Sequence, residues 1–304
     1  MTTTPAPVPV PTSSGSRLGA TAATALAPAV WGTTYIVTTA MLPADHPMFA
    51  ALMRALPAGL IALLIARRLP TGGWWWKAFV LGTLNIGLFF PLLFATAERL
   101  PGGVAATLGA TQPILVAFLA VLVLGERLSR WRLGWGVVGV IGVGMVVLGP
   151  GAGFDPLGIL AGIAGAASMG TGVVLTKRWG RPAGLSAIGF AGWQLAAGGL
   201  VLLVPTLLIE GVPTVDGTAV AGYLWLGIIG GLLAYTLWFR GLGRLPVTAT
   251  ALLGLLSPLV AAVLGVVFAG ESLNLVQVLG FGLALAALAC GQLNPQNSSG
   301  RVRV

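Results

Sequence analysis

The sequence predicts an all-α membrane protein of ten transmembrane helices, arranged as two inverted five-helix repeats around a central cavity. Three observations predict it. The chain of 304 residues is 57% hydrophobic and only 8% charged, with a mean hydropathy of +0.97, whereas soluble domains carry about 25% charged residues. Apolar stretches of roughly 20 residues, enough to cross a bilayer, follow one another with short connections. Residues 94–128 also return at 239–273, as FATAERLPGGVAATLGATQPILVAFLAVLVLGERL and FRGLGRLPVTATALLGLLSPLVAAVLGVVFAGESL. The copies share Phe94/Phe239, Arg99/Arg244, Pro101/Pro246, Gly109/Gly254, Pro113/Pro258, Gly125/Gly270 and Glu126/Glu271.

Hydrocarbon offers the backbone no hydrogen bonds, so a spanning chain is helical or a closed barrel. The apolar runs are continuous rather than alternating, which selects helices. Spans are expected near 18–40, 47–66, 75–97, 102–124, 132–150, 156–176, 184–209, 218–239, 246–268 and 274–291. Leu42-Pro43 with His46-Pro47, Thr71-Gly72-Gly73, Leu100-Pro101-Gly102, Gly149-Pro150-Gly151, Arg181-Pro182 and Val212-Pro213 separate them. Trp74, Trp75 and Trp76 mark one span entry and Trp131 and Trp135 another, at the depth where amphipathic rings settle. Residues 1–16 are rich in Thr, Pro and Ser and lack the apolar core of a signal peptide. They and 292–304 are expected to be disordered cytoplasmic tails, flanking a first repeat at 17–150 and a second at 151–291.

The charges sort by side. With the N-terminus inside, only Arg54 and Arg99 of the sixteen bases fall outside, and of seven acids only Glu126 falls inside. Bases favour the cytoplasmic side, so both termini are expected there, in the cell (inner) membrane. The repeat copies lie five spans apart, an odd interval that reverses their direction. Trp31-Gly32-Thr33 with Met169-Gly170-Thr171, and Gly59-Leu60 with Gly199-Leu200, echo the same relation. Inverted repeats of this kind are typical of secondary transporters.

At Trp31-Gly32, at Pro113 followed by Gly125-Glu126-Arg127-Leu128, and at Pro258 followed by Gly270-Glu271-Ser272-Leu273, the chain resembles the ten-span drug/metabolite transporter superfamily, specifically the EamA-type exporters. The resemblance covers residues 20–291. It implies two inverted bundles around a cavity, export of amino acids or related metabolites, and a place near the branch that exports aromatic amino acids.

Composition excludes other classes. The net charge of +9 is scattered in short loops rather than gathered on one face, which excludes a nucleic-acid partner. One cysteine, Cys290, and one histidine, His46 in a loop, leave no metal or cofactor site and no catalytic residues. Cys290 reads as a small packing residue; a membrane receptor or scaffold stays the remote alternative, for which inverted repeats give no reason. Intramembrane prolines Pro28, Pro57, Pro91, Pro113, Pro205 and Pro258 free backbone carbonyls; the repeat-related pair Pro113 and Pro258 is the expected hinge. Gly158, Gly162, Ala166 and Gly170 form a smooth packing stripe, and Gly227, Gly230 and Gly231 another small face. Glu126 and Glu271 follow a helix-ending glycine and read as end-of-helix groups. Arg54 reads as the single base within the outer third of a span, snorkelling or paired with Glu98.

The midplane is expected to carry no charge. Its polar and aromatic residues nominate a binding set of Trp31, Tyr35, Asn85, Phe89, Thr111, Ser168, Trp193, Tyr235, Trp238 and Ser257. Such a chamber suits neutral or zwitterionic small molecules, amino acids foremost, exported by alternating access without obligatory proton coupling. Multidrug or other metabolite export is the alternative. A multidrug cation exporter would place a carboxylate in the first span, where Trp31-Gly32-Thr33-Thr34 stands, and a carrier of phosphorylated sugars would place a base deep in the cavity. The expected partners are the small-molecule substrate and the bilayer; the sequence is silent on oligomeric state.

Overall fold

The computed structural model describes residues 14–99, 108–147, 155–269 and 273–293. Among these residues there is no strand. The helices are α1 (Ser14–Gly32), α2 (Thr34–Met41), α3 (Pro47–Ala66), α4 (Trp74–Gly82), α5 (Phe89–Arg99), α6 (Gln112–Leu124), α7 (Arg130–Val147), α8 (Pro156–Trp179), α9 (Ala187–Ile209), α10 (Gly217–Leu224), α11 (Ala234–Arg244), α12 (Val247–Leu253), α13 (Leu256–Ala269) and α14 (Leu275–Gln292). A π-helical turn, Thr83–Gly87, joins α4 to α5, and a second, Trp225–Leu233, joins α10 to α11. Helices α1 and α2 also abut, as do α12 and α13, so that the described helices join into longer runs. Seven are long and apolar enough to cross a membrane, and Leu108–Leu124 is a shorter apolar helix. Large side chains such as Leu122 and Leu208, each 80% exposed, cover the outside as lipid-facing surface. The protein is an all-helical integral membrane protein. Pro101, Pro150, Gly270 and Glu271 lie outside the described residues, as do the side chains of Tyr35 and Glu98.

Local chemistry sets the helix ends. Asp155, Ser186 and Asp216 accept from the backbone N–H three residues on, at 2.7, 3.2 and 2.7 Å, starting α8, α9 and α10. Asn274 and Gln277 form a reciprocal capping box at α14. Helix α3 lacks its own cap. Both carboxylate oxygens of Glu210, at the end of α9, instead accept from Met48 N–H and Phe49 N–H at 2.9 Å. Gly125 closes α6 with φ +68°, as its position before Glu126 predicts. At the other ends of the bundle, Lys177 Nζ donates to Leu242 O and Leu245 O, both at 2.8 Å, and holds the last carbonyls of α11.

Two crossings organise the packing. Helices α3 and α9 meet where Gly59 touches the Ala196 backbone and a Cβ on Gly199 would lie 2.7 Å from Leu56 Cα. The order is opposed, 56 to 59 against 199 to 196, so the helices run antiparallel. Helices α7 and α14 repeat the arrangement, with Gly142 on Ala284 and Gly280 on Val146. Gly59 and Gly199 are the repeat-related glycines of the sequence. The other large contacts exchange partners: α5 packs on α8 as α11 packs on α1, and α6 packs on α8 as α13 packs on α1. The predicted small-residue stripe also packs. A Cβ on Gly162 would lie 2.7 Å from Leu108, and one on Gly170 3.3 Å from Leu115.

Candidate functional site

The second π turn builds the centre of the site. Extra backbone slack in a π turn leaves carbonyls available to side chains. Gly230 O accepts from Trp31 Nε1 at 3.0 Å and from Arg54 Nη2 at 3.3 Å. Arg54 also donates to Thr34 Oγ1 at 3.4 Å, and its guanidinium lies 5.0 Å from the Phe90 ring centroid. Both bonds are longer than the 2.7–2.9 Å usual for a charged donor. Gly231 permits the approach, since a Cβ there would stand 2.7 Å from Arg54 O. From the same turn, Trp225 Nε1 donates to Thr33 Oγ1 at 2.9 Å, across the break between α1 and α2.

Three of the predicted residues meet here. Trp31 lies 5.0 Å from Tyr235 and 5.3 Å from Trp238, centroid to centroid. Tyr235 and Trp238 are buried, and Trp238 Nε1 is without a hydrogen-bond partner. Arg54, only 6% exposed, stands beside them. The expectation of an uncharged interior therefore needs revising. The α3–π-turn crossing turns this side chain inward onto Gly230 O and Phe90 rather than letting it snorkel outward, a choice span depth alone does not reveal. No Asp or Glu is buried among the residues whose side chains are described.

Other nominated residues lie elsewhere. Asn85, in the first π turn, donates to Gln194 Oε1 at 2.7 Å and to Thr176 Oγ1 at 3.4 Å, tying three runs together. Ser168 donates to Leu84 O at 2.8 Å and Thr111 to Leu108 O at 2.6 Å, both satisfying backbone at irregular turns. Trp193 Nε1 donates to Arg68 O at 2.8 Å and its ring lies against Trp74, at the end of α3. Phe89 faces α8 near Gly165, whereas its neighbour Phe90 faces Arg54. Ser257 O lies where a Cβ on Gly32 would stand at 2.7 Å, so α1 crosses α13 there. Pro113 and Pro258 each follow a helix break. Thr111 N–H bonds Leu108 O at 3.1 Å, and Gly254 and Leu255 bond back three residues at 3.0 and 3.1 Å. Sequence reasoning missed Gly230 and the first rank of Arg54. The signal for the latter was present: it is a base inside an apolar run.

A cavity of about 580 Å³ opens where α8 and α11 end and α9 begins. Lys177, Arg181, Arg240 and Arg244 line it, with Phe190 and Phe239 among its apolar residues. Phe239 lies 5.7 Å from Tyr235, so the aromatic cluster continues from Trp31 to the cavity wall.

The described residues thus form an all-helical membrane bundle with a buried cation–aromatic centre and a cavity at one end. The chain belongs to the EamA-like transporter family, whose model matches it twice, over residues 18–148 and 156–290. It is 49% identical over 263 residues to Protein PecM of Dickeya dadantii (strain 3937), covering 86% of this chain and 88% of that protein. It is 28% identical to the "Probable amino-acid metabolite efflux pump" of Salmonella typhimurium (strain LT2), over 85% of this chain and 90% of that one. A solved structure entitled "Crystal structure of protein" aligns with a TM-score of 0.76 at 22% identity, covering 93% of this chain and 100% of the other; it shares the fold.

Proposed function

We propose that this family member is a ten-span carrier of the cell (inner) membrane that exports small amino-acid-like metabolites by alternating access. Its halves are residues 17–150 and 151–291, inverted relative to each other, with cytoplasmic termini. The antiparallel crossings at Gly59/Gly199 and Gly142/Gly280, the exchanged packing partners and the double family match support the two-half reading. Pro113 and Pro258, each just past a helix break, are the hinges.

The observation that carries the function is Arg54 beside Trp31, Tyr235 and Trp238. A guanidinium is a fitted partner for a carboxylate, and indole rings offer flat apolar walls to a side chain. The amino-acid efflux named for the Salmonella relative agrees with that chemistry. Transport is driven by the substrate gradient without obligatory proton coupling.

Counterflow of a radiolabelled amino-acid panel in liposomes containing only this protein tests the reading. Accumulation of at least one member, unchanged when the pH gradient is collapsed, is expected. No accumulation of any member would overturn the cargo class, and strict dependence on the gradient would overturn the coupling.

A further inference from the structure

We propose that the cavity between α8, α9 and α11 is the loading site for cargo and takes it by an anionic oxygen group, a carboxylate. The proposal rests on the carrier reading above and names the chemistry of what enters.

Four cationic side chains converge on one space, and no Asp or Glu belongs to its lining. Sidedness requires bases somewhere on the inner loops; Arg127 and Arg130 satisfy it from outside this cavity. Convergence is an additional fact. Lys177 is committed to the carbonyls of Leu242 and Leu245, so Arg181, Arg240 and Arg244, all exposed, are the groups presented to a ligand. Glu126 interacts electrostatically with Lys177 but is not part of the lining. The first turn of α9, capped by Ser186, also faces the cavity and adds the positive end of a 23-residue helix.

The rest of the wall mixes the hydroxyls of Thr176, Ser186 and Thr236 with small and apolar residues. Phe190 and Phe239 meet edge to face, 5.7 Å apart at 74°. Both rings are buried, so what the cavity offers a ligand is its exposed cationic rim, and a volume of about 580 Å³ is ample for a small organic acid. Phe239 contacts Tyr235, which contacts Trp31, so the loading site adjoins the centre at Arg54. Nothing in the lining offers an ammonium group a carboxylate partner. The anion is therefore the recognised end.

Binding of indole-3-acetate, indole-3-acetamide and tryptamine to purified protein in phosphatidylcholine nanodiscs separates the charges on one ring system. Acetate is expected to bind roughly tenfold tighter than acetamide, the scale of a charge-assisted bond, and tryptamine weakest. In R240Q/R244Q that preference is lost while acetamide binding is unchanged; R130Q, outside the cavity, keeps it. Equal binding of the three indoles, or a preference that survives the double substitution, overturns the proposal. Loss of acetate binding when phosphatidylglycerol is added to the disc also overturns it, because the oxyanion would then be a lipid phosphate. Counterflow separates this site from the carrier reading. Equal transport of acetate and acetamide sinks the anion site alone, whereas a binding preference without any counterflow supports the site and sinks the carrier.

Discussion

The closest helix crossing gives the sharpest prediction. In Gly199→Ala, the added Cβ would lie 2.7 Å from Leu56 Cα and Cβ and 2.8 Å from Leu56 N. Carbon atoms rest about 3.5–4.0 Å apart, so α3 and α9 must separate by about 1 Å at a point where both backbones are in contact. Overpacking of this kind costs about 1–3 kcal/mol. Alanine returns roughly 0.5–1 kcal/mol through its better helix propensity. A net loss of about 1–2 kcal/mol is expected. Gly134→Ala in α7 is the control: nothing lies within 4 Å of its Cβ, so only the propensity gain remains. Thermal unfolding in detergent, followed by tryptophan fluorescence, should place G199A below and G134A at or above the wild type. Gly59→Ala, on the other side of the same crossing, should match G199A, and the double substitution should fall short of the sum because both relax the same contact. If G199A melts with the wild type, the crossing is not a tight axis.

Three further outcomes follow from the same geometry. Arg54→Gln should weaken counterflow of a carboxylate-bearing substrate roughly tenfold or more while leaving the thermal midpoint within a few degrees, since a charged hydrogen bond contributes about 1.5–3 kcal/mol; an unchanged KM would remove Arg54 from the site. Glu210→Ala leaves Met48 N–H and Phe49 N–H without their acceptor and should cost about 0.5–2 kcal/mol, as for loss of a helix cap, read as earlier unfolding in SDS titration. Asn85→Leu should destabilise by about 0.6–1.7 kcal/mol, and Asn85→Leu with Gln194→Leu should recover much of it because no polar partner is left stranded. Additive losses in that cycle would show the two amides do not depend on each other.

Much of the fold was legible in the sequence because lipid removes alternatives. Without water, backbone polar groups close on themselves, so each apolar run of span length is a helix and its limits follow from Pro, Gly and capping residues. Gly125 ending α6 and the stripe at Gly162 and Gly170 were both readable that way. So was the company of Trp31, Tyr235 and Trp238, as midplane aromatics with polar tips. What a linear pattern does not carry is the direction a side chain takes when helices cross. Asn85, Ser168 and Trp193 have the same polar or amphipathic character as the central residues, yet they bond to Gln194, Leu84 O and Arg68 O. The two π turns leave no hydropathy signature, and they decide which carbonyls are free. Arg54 shows the division most plainly: the sequence placed a base in the membrane, and only the fit of α3 against Gly230 and Gly231 brought its charge inside. Burial depth follows from composition, but orientation is settled by backbone contact at distances where one methyl group changes the outcome.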